Sequence, residues 1–456
     1  MKSLAASLEV QDTEKKQHKS LFRLVLLVMM KAIPLLIASL GNAFSLTITM
    51  IFLARNTTDP YMYGAIGMGT MTMNMILRSY CHGFNNSLIT HLSHAYGAKD
   101  YELMGIVLSK SRILWSILII PFLVLLFFTR PLLLLLHQEE LLAYHTGYYV
   151  QICMAGFVFH LHYDIYRKYL NSMSKFWTHV PVTYVSLIMH IGWCYVFIVR
   201  LKLELLGAAL TVLIQFITNF VVIWALTMIN IRSKNSNLVP TCKSEVFHDW
   251  GKLFLSGCPT YFLQLISFLS IESVVLITGF LEVKILVANT ALINLLNILY
   301  LFIYAVMQSS SALIGNKIGE KDFAEGRRLI IAVMIFGILF SITISLILVM
   351  FSDWIFRLYV QDSDIIPVMY KIMPIFVCTL VCYIMKDISQ TVIIGLGLQK
   401  KTVAFNILSF LLIGVPVSIY GLRWPYTGPW LGICLTLSLN SCYYMLLIFK
   451  SDIIRG

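Results

Sequence analysis

Long apolar runs separated by short polar loops dominate the chain. Twelve stretches reach the about 20 residues that a helix needs to cross a hydrocarbon core. They lie at roughly 24–53, 61–90, 112–136, 145–166, 177–199, 205–230, 252–280, 286–313, 329–351, 366–396, 402–421 and 429–449. Their apolar positions are continuous rather than alternating, which argues against a barrel of strands. The pattern predicts an all-α polytopic membrane protein. Its loops are too short to hold a separate domain. The polar stretch from Asn230 to Asp249 parts the spans six and six. The expected divisions are a tail at 1–23, a bundle at 24–230, a linker at 231–249, a bundle at 250–449 and a tail at 450–456.

Composition sharpens this picture. Of 456 residues, 59% are hydrophobic and 12% charged, where soluble domains carry about 25% charged residues. A soluble enzyme, a nucleic-acid binder and a disordered scaffold are excluded. The net charge of +12 has a topological reading. With the N-terminus inside, 23 Lys and Arg residues fall on that side, seven on the other, and four within or near span ends. The 23 include Lys110, Arg112, Arg167 and Lys168, counted as loop residues. This asymmetry places both termini in the cytoplasm and calls for no acidic partner. Nine cysteines form no CxxC pair, so neither zinc nor a disulfide framework is indicated. The polar N-terminal segment lacks the apolar core of a cleaved signal. Asn56-Thr57-Thr58 is a glycosylation sequon, but it sits so close to the membrane that its use is not expected.

The halves repeat. Pro34 matches Pro259, Gly97-Ala-Lys-Asp-Tyr101 matches Gly319-Glu-Lys-Asp-Phe323, and Arg200 matches Arg423. Leu206-Gly207 with Leu210-Thr211 matches Leu431-Gly432 with Leu435-Thr436. The matches keep one order and a nearly constant offset, which indicates duplication. Six spans per half is even, so both halves enter from the same side. The repeats are therefore parallel, related by a pseudo-two-fold axis along the membrane normal.

Several stretches carry a family resemblance. They are Ser93-His-Ala-Tyr-Gly-Ala98, Ile271-Glu272-Ser273 followed by Leu276 to Leu281, Leu313 to Glu320, and Ile393 to Asn406 (IIGLGLQKKTVAFN). Together with the span count and the repeat, the chain resembles the multidrug and toxic compound extrusion (MATE) transporters, especially their eukaryotic branch. The resemblance implies a V-shaped pair of six-helix bundles. It also implies export of organic cations or other amphipathic compounds in exchange for protons or sodium ions.

Ionisable groups inside a membrane are costly and point to function. Glu272 in span seven is the foremost candidate, and the family's acidic residue in this span falls on it. Burial disfavours a charged carboxyl, so Glu272 is placed to take up and release a proton, or to pair with a cationic substrate. The plainer reading is a neutral acid bonding a neighbouring helix. Gln264, Phe268 and Glu272 are spaced by four and share one face. An aromatic ring there suits a cation, or is simple packing. In span ten, Tyr383, Asp387, Gln390 and Thr391 share a face. The family's acid in this span falls on Tyr383, so Asp387 lies one turn later. It either replaces that acid or forms an ion pair with Lys371 or another base. Lys386 is a charge the family does not lead one to expect.

In span one, Thr49 stands where prokaryotic relatives have a carboxylate. With few hard oxygen ligands, sodium is less expected than protons as the coupling ion. Asn42, Thr49, Asn74 and Arg78 are the candidate cleft residues of the first bundle. Arg78 either repels cations, attracts an anionic group of the substrate, or is held by an interhelical carbonyl or acid. His160, His162 and Asp164 invite a metal reading. However, residues two apart point to different faces of a helix, and Asp164 with Arg167 or Lys168 is a plainer salt bridge. No metal, cofactor or nucleotide motif is expected. The reading is a monomeric proton-coupled exporter in the plasma membrane or a vacuolar or other internal membrane. The alternatives are a lipid-linked saccharide flippase, which would line its cleft with cations, and a membrane-embedded acyltransferase-type enzyme.

Overall fold

The structure is a computed structural model that describes residues 20–57, 59–232, 244–279, 281–360 and 364–451. Most of both tails, the centre of the linker and Thr58 of the sequon lie outside these residues. The described residues form twelve helical spans. In the first half they are α1 (Leu21–Asn56), α2 (Pro60–Met73, a π-helical turn Asn74–Arg78, then Ser79–Gly97) and α3 (Tyr101–Leu118 and Ile120–Phe127, followed by Thr129–Leu135). Then come α4 (Glu140–Met154 and Phe157–Ser172), α5 (His179–Cys194 with a π turn Tyr195–Arg200) and α6 (Glu204–Arg232). In the second half they are α7 (Trp250–Thr278), α8 (Val283–Gly319), α9 (Phe323–Met350), α10 (Ile366–Leu396), α11 (Val403–Ser409, a π turn Phe410–Gly414 and Val415–Tyr420) and α12 (Gly428–Lys450). Ten are long and apolar enough to cross a membrane. The other two, α2 and α4, carry much of the buried polar chemistry.

Two spans begin or end well beyond the apolar run. Helix α3 starts at Tyr101, where the Asp100 side chain accepts from the Leu103 amide, so Lys110 and Arg112 lie inside the helix. Helix α4 runs to Ser172, so Arg167 and Lys168 are helical and not loop charges. Hydropathy detects the apolar run alone, whereas a helix continues through charged turns until a cap or turn stops it.

Packing repeats between the halves. Helix α2 lies against α4 and α8 against α10; α4 lies against α6 and α10 against α12; α5 pairs with α6 and α11 with α12. The turns at Gly97-to-Tyr101 and Gly319-to-Phe323 are built alike. Lys99 and Lys321 both take positive φ, 61° and 57°. Asp100 and Asp322 cap the helices that follow, accepting from Leu103 and Glu325 amides. One apolar core is centred on each half.

The bundles join at one end. The Ser79–Gly97 half of α2 packs on α7, α8 and α10, whereas the Pro60–Met73 half packs within its own bundle against α4. Early α1 residues Val28, Ala32 and Leu35 belong to the core of the second bundle. The joined end is therefore the one from which α1 starts and at which α12 stops.

Candidate functional site

At the joined end, α2 and α8 cross backbone to backbone. A Cβ at Gly97 would lie 2.0 Å from the Asn316 carbonyl oxygen, and one at Gly319 would lie 2.1 Å from that of His94. At Gly315 it would lie 1.9 Å from Ser93 Oγ. Only glycine permits this approach. Beside the crossing, Thr90 of α2 donates to the Ile394 carbonyl at 2.6 Å and accepts from Gln399 Nε2 at 2.8 Å. His94 Nε2 lies 2.9 Å from the Gly395 carbonyl, and His91 Nε2 lies 2.9 Å from Ser256 Oγ.

Farther from that end, α4 reaches across to α8. Lys168 is fully buried. Its Nζ donates to Asn86 Oδ1 at 2.7 Å and to Gln308 Oε1 at 2.6 Å. Arg167 pairs closely with Asp164 and donates to the Tyr304 hydroxyl at 2.6 Å. Asn85 Nδ2 donates to Asp164 Oδ2 at 2.9 Å, and the Tyr304 hydroxyl lies 3.2 Å from His82 Nδ1. A buried cation is tolerable only with acceptors around it, and these residues supply them. A cavity with room for about one water abuts the cluster, lined by Asn42, Tyr163, Asn171 and His179 among others.

The salt bridge expected of Asp164 forms with Arg167, whereas Arg167 and Lys168 are not the loop charges the apolar runs suggest, and Asn86, Tyr304 and Gln308 are not singled out by the sequence. The usable signal was polarity inside apolar runs. Asp164, Arg167 and Lys168 are one turn apart, and Gln308-Ser309-Ser310-Ser311 interrupts the apolar centre of α8.

In the second bundle, Gln264 of α7 lines another small cavity with Asn86, Tyr300, Tyr304 and Thr391. The Tyr383 ring lies 6.0 Å from that of Tyr300. Asp387 is buried and pairs with Lys386 at 3.0 Å. Lys386 also donates to Ser267 Oγ of α7 at 2.7 Å. The ion pair expected of Asp387 thus forms with its neighbour, while Lys371 is exposed and sits 4.6 Å over the Tyr426 ring. Gln390 is buried, and its Oε1 has no partner among the described residues. Gln264 and Tyr383 thus both neighbour Tyr300, and Asp387 and Gln390 follow Tyr383 by about one and two turns of α10. Phe268 and Glu272 lie farther along α7, both half-buried. Glu272 is five residues past Ser267, roughly 8 Å along the helix. Among the described residues it has no ion pair or hydrogen bond.

The first-bundle candidates take different roles. Thr49 is buried in its own bundle, 2.9 Å from His190 Nε2, and donates to the Ser45 carbonyl. Asn42 lines the cavity beside Arg167. Asn74 opens the π turn of α2 and Arg78 closes it. His160 and His162 diverge: His162 Nε2 lies 3.1 Å from Ser116 Oγ, whereas His160 packs against Phe157, Tyr163 and Phe216. Among the described residues, no three of His, Cys, Asp and Glu group as metal ligands.

The sequence model of the family described as MatE matches residues 34–196 and 259–420, so its two copies open on Pro34 and Pro259. The chain is 21% identical over 395 residues to "Multidrug and toxin extrusion protein 2" of Mus musculus, covering 85% of this chain and 68% of that one. It is 23% identical over 389 residues to "Protein DETOXIFICATION 9" of Arabidopsis thaliana, covering 84% and 80%. The fold matches the crystal structure of the eukaryotic MATE transporter AtDTX14 with a TM-score of 0.88, at 18% identity over 95% and 97% of the chains. It matches a mutant of the Vibrio cholerae MATE transporter VcmN with a TM-score of 0.81, at 16% identity over 96% and 100%. The second of these two folds is prokaryotic, and both have two six-helix bundles. With the family sequence present in each half, the chain belongs to the MATE family of membrane transporters.

Proposed function

We propose that the chain is a secondary active exporter of organic cations or other amphipathic compounds, exchanging them for protons by alternating access between its two bundles. One observation carries the reading. Glu272 is a carboxyl within a membrane-spanning helix, half-buried, with no partner among the described residues. A group that binds either a proton or a cationic ligand makes the two competitors, which is antiport in its simplest form. Asp387, held by Lys386, is the second coupling candidate; Gln264, Phe268, Tyr383 and Gln390 line the same helices. Thr49 in place of a carboxylate leaves the first bundle short of hard oxygen ligands, which favours protons over sodium. No cofactor is needed.

In this reading residues 24–230 and 250–449 rock about the central site, and both termini are cytoplasmic, so the joined end faces inward. The protein works as a monomer in the plasma membrane or a vacuolar or other internal membrane. A flippase for lipid-linked saccharides would line its cleft with cations, for which Arg78 and Lys386 are the sequence candidates; Lys386 is paired with Asp387. Arg167 and Lys168 are committed to Asp164, Tyr304, Asn86 and Gln308, which leaves Arg78.

The test is transport in vesicles under an imposed pH gradient. Wild type moves a fluorescent organic cation against its gradient, and Glu272→Gln slows this by at least about tenfold, the cost of roughly one lost charged interaction. Unchanged transport in that variant removes Glu272 from the mechanism, and transport driven by sodium alone removes the proton.

A further inference from the structure

Arg78 ends the π turn near the middle of α2, with Pro60 at one end and Gly97 at the other. A guanidinium stays charged at any physiological pH, and a charge at this depth is costly without a counter-charge. Among the described residues Arg78 has no ion pair and no hydrogen bond. Its electrostatic neighbours are Tyr304, Cys81 and Arg167. The carboxylate of this region, Asp164, is already taken by Arg167 and Asn85. Arg78, Arg167 and Lys168 therefore face one acid, and positive charge is in surplus on this wall. His160 lies in the same electrostatic neighbourhood, with both ring nitrogens buried and unpartnered. Single π turns inside α-helices frequently mark functional sites.

The neighbouring helix carries an acid. The π turn of α2 packs on α7, the helix of Glu272. The two helices are antiparallel and touch where Gly83 meets the Tyr261 backbone. Arg78 lies five residues outward of that contact and Glu272 eleven, so the two differ in height by roughly 9 Å. A simple organic cation passing between these two helices would meet Arg78 as a like charge.

We propose that Arg78 anchors an anionic group of the transported molecule, a carboxylate, sulfonate or phosphate, and that the substrate class is a zwitterionic amphiphile whose cationic end faces Glu272. This rests on the export reading for the movement of the molecule, but not for its binding. The guanidinium offers an oxyanion a two-pronged hydrogen bond, and the unpartnered nitrogens of His160 can add a donor.

Two dyes of one skeleton test it: rhodamine 110, whose free carboxylate makes it zwitterionic, and rhodamine 123, its methyl ester and a simple cation. Binding to the purified full chain in detergent is read by fluorescence polarisation. Wild type is expected to hold rhodamine 110 about tenfold more tightly, the usual yield of one charge-assisted contact. Arg78→Gln erases that preference while leaving rhodamine 123 unchanged or bound more tightly, and Arg78→Lys retains part of it. Equal affinity of wild type for the two dyes, no measurable binding of rhodamine 110, or a Gln variant that weakens both dyes alike overturns the proposal. Transport of the same dyes in vesicles separates the two readings. Arg78-dependent binding without pH-driven movement keeps the anion site and defeats the exporter. Transport of rhodamine 123 with no preference for the carboxylate keeps the exporter and defeats the anion site.

Discussion

Lys386 and Asp387 are adjacent on α10, a spacing that turns side chains away from each other on a helix. They meet because the lysine stem is long and its ammonium is drawn between the Asp387 carboxylate and Ser267 of α7. Both side chains are almost fully buried. Removing one partner of such a pair leaves an uncompensated charge and costs about 3–5 kcal/mol. Lys386→Met is therefore expected to lower the melting temperature in detergent sharply, and adding Asp387→Asn to recover most of the loss. Additive destabilisation in the double variant would show that the pair is not a unit. At this scale the sequence singled out charges that break an apolar run, as at Glu272, Arg78 and the pair Lys386-Asp387. It was uninformative at Lys168, which stands just beyond an apolar run and looks like any loop lysine. Only the fold turns it inward, between Asn86 and Gln308.

Among the elements, the crossing of α2 and α8 sets how closely the bundles meet. Backbone atoms lie where a side chain at Gly97 or Gly319 would have to go, and backbone cannot move aside as a rotamer can. Gly315→Leu or Gly319→Val would forbid the joined arrangement while leaving each bundle's own core untouched. Such variants are expected to melt within a few degrees of wild type yet lose transport almost wholly, measured as dye export in vesicles. Retained transport would mean that the crossing is not revisited in each cycle. The pairing of helices was foreseeable, because the repeat of Gly97-to-Tyr101 at Gly319-to-Phe323 carries an identical turn, down to a lysine of positive φ. The π turn of α2 was not. It leaves no signature in residue type, since it arises from an extra residue accommodated in the helix rather than from a cap or a proline.

For the whole molecule, twelve spans and two parallel halves were legible from apolar run lengths and the near-constant offset between repeats. The cluster between the bundles was not, because Asp164, Arg167 and Lys168 meet Tyr304 and Gln308 only after α4 and α8, about 140 residues apart in sequence, are brought together. The charge asymmetry makes a prediction that sequence alone can only pose. A protease-cleavable tag at either terminus is expected to be cut in inside-out vesicles and protected in right-side-out ones. A tag cut in the opposite preparation would invert the assignment of the joined end.

The bonds between α4 and α8, and those of Thr90 and His94 to the second bundle, link buried donors to acceptors that cannot be left bare. Neither adjoining cavity holds more than about one water. On the proposed alternating access, parting the bundles at this end would require the buried groups among these to be rehydrated from the aqueous phase. Opening would then be a wetting transition, with its rate tied to the activity of water itself: osmotic stress, which withdraws that water, would hold the gate shut without touching a single side chain.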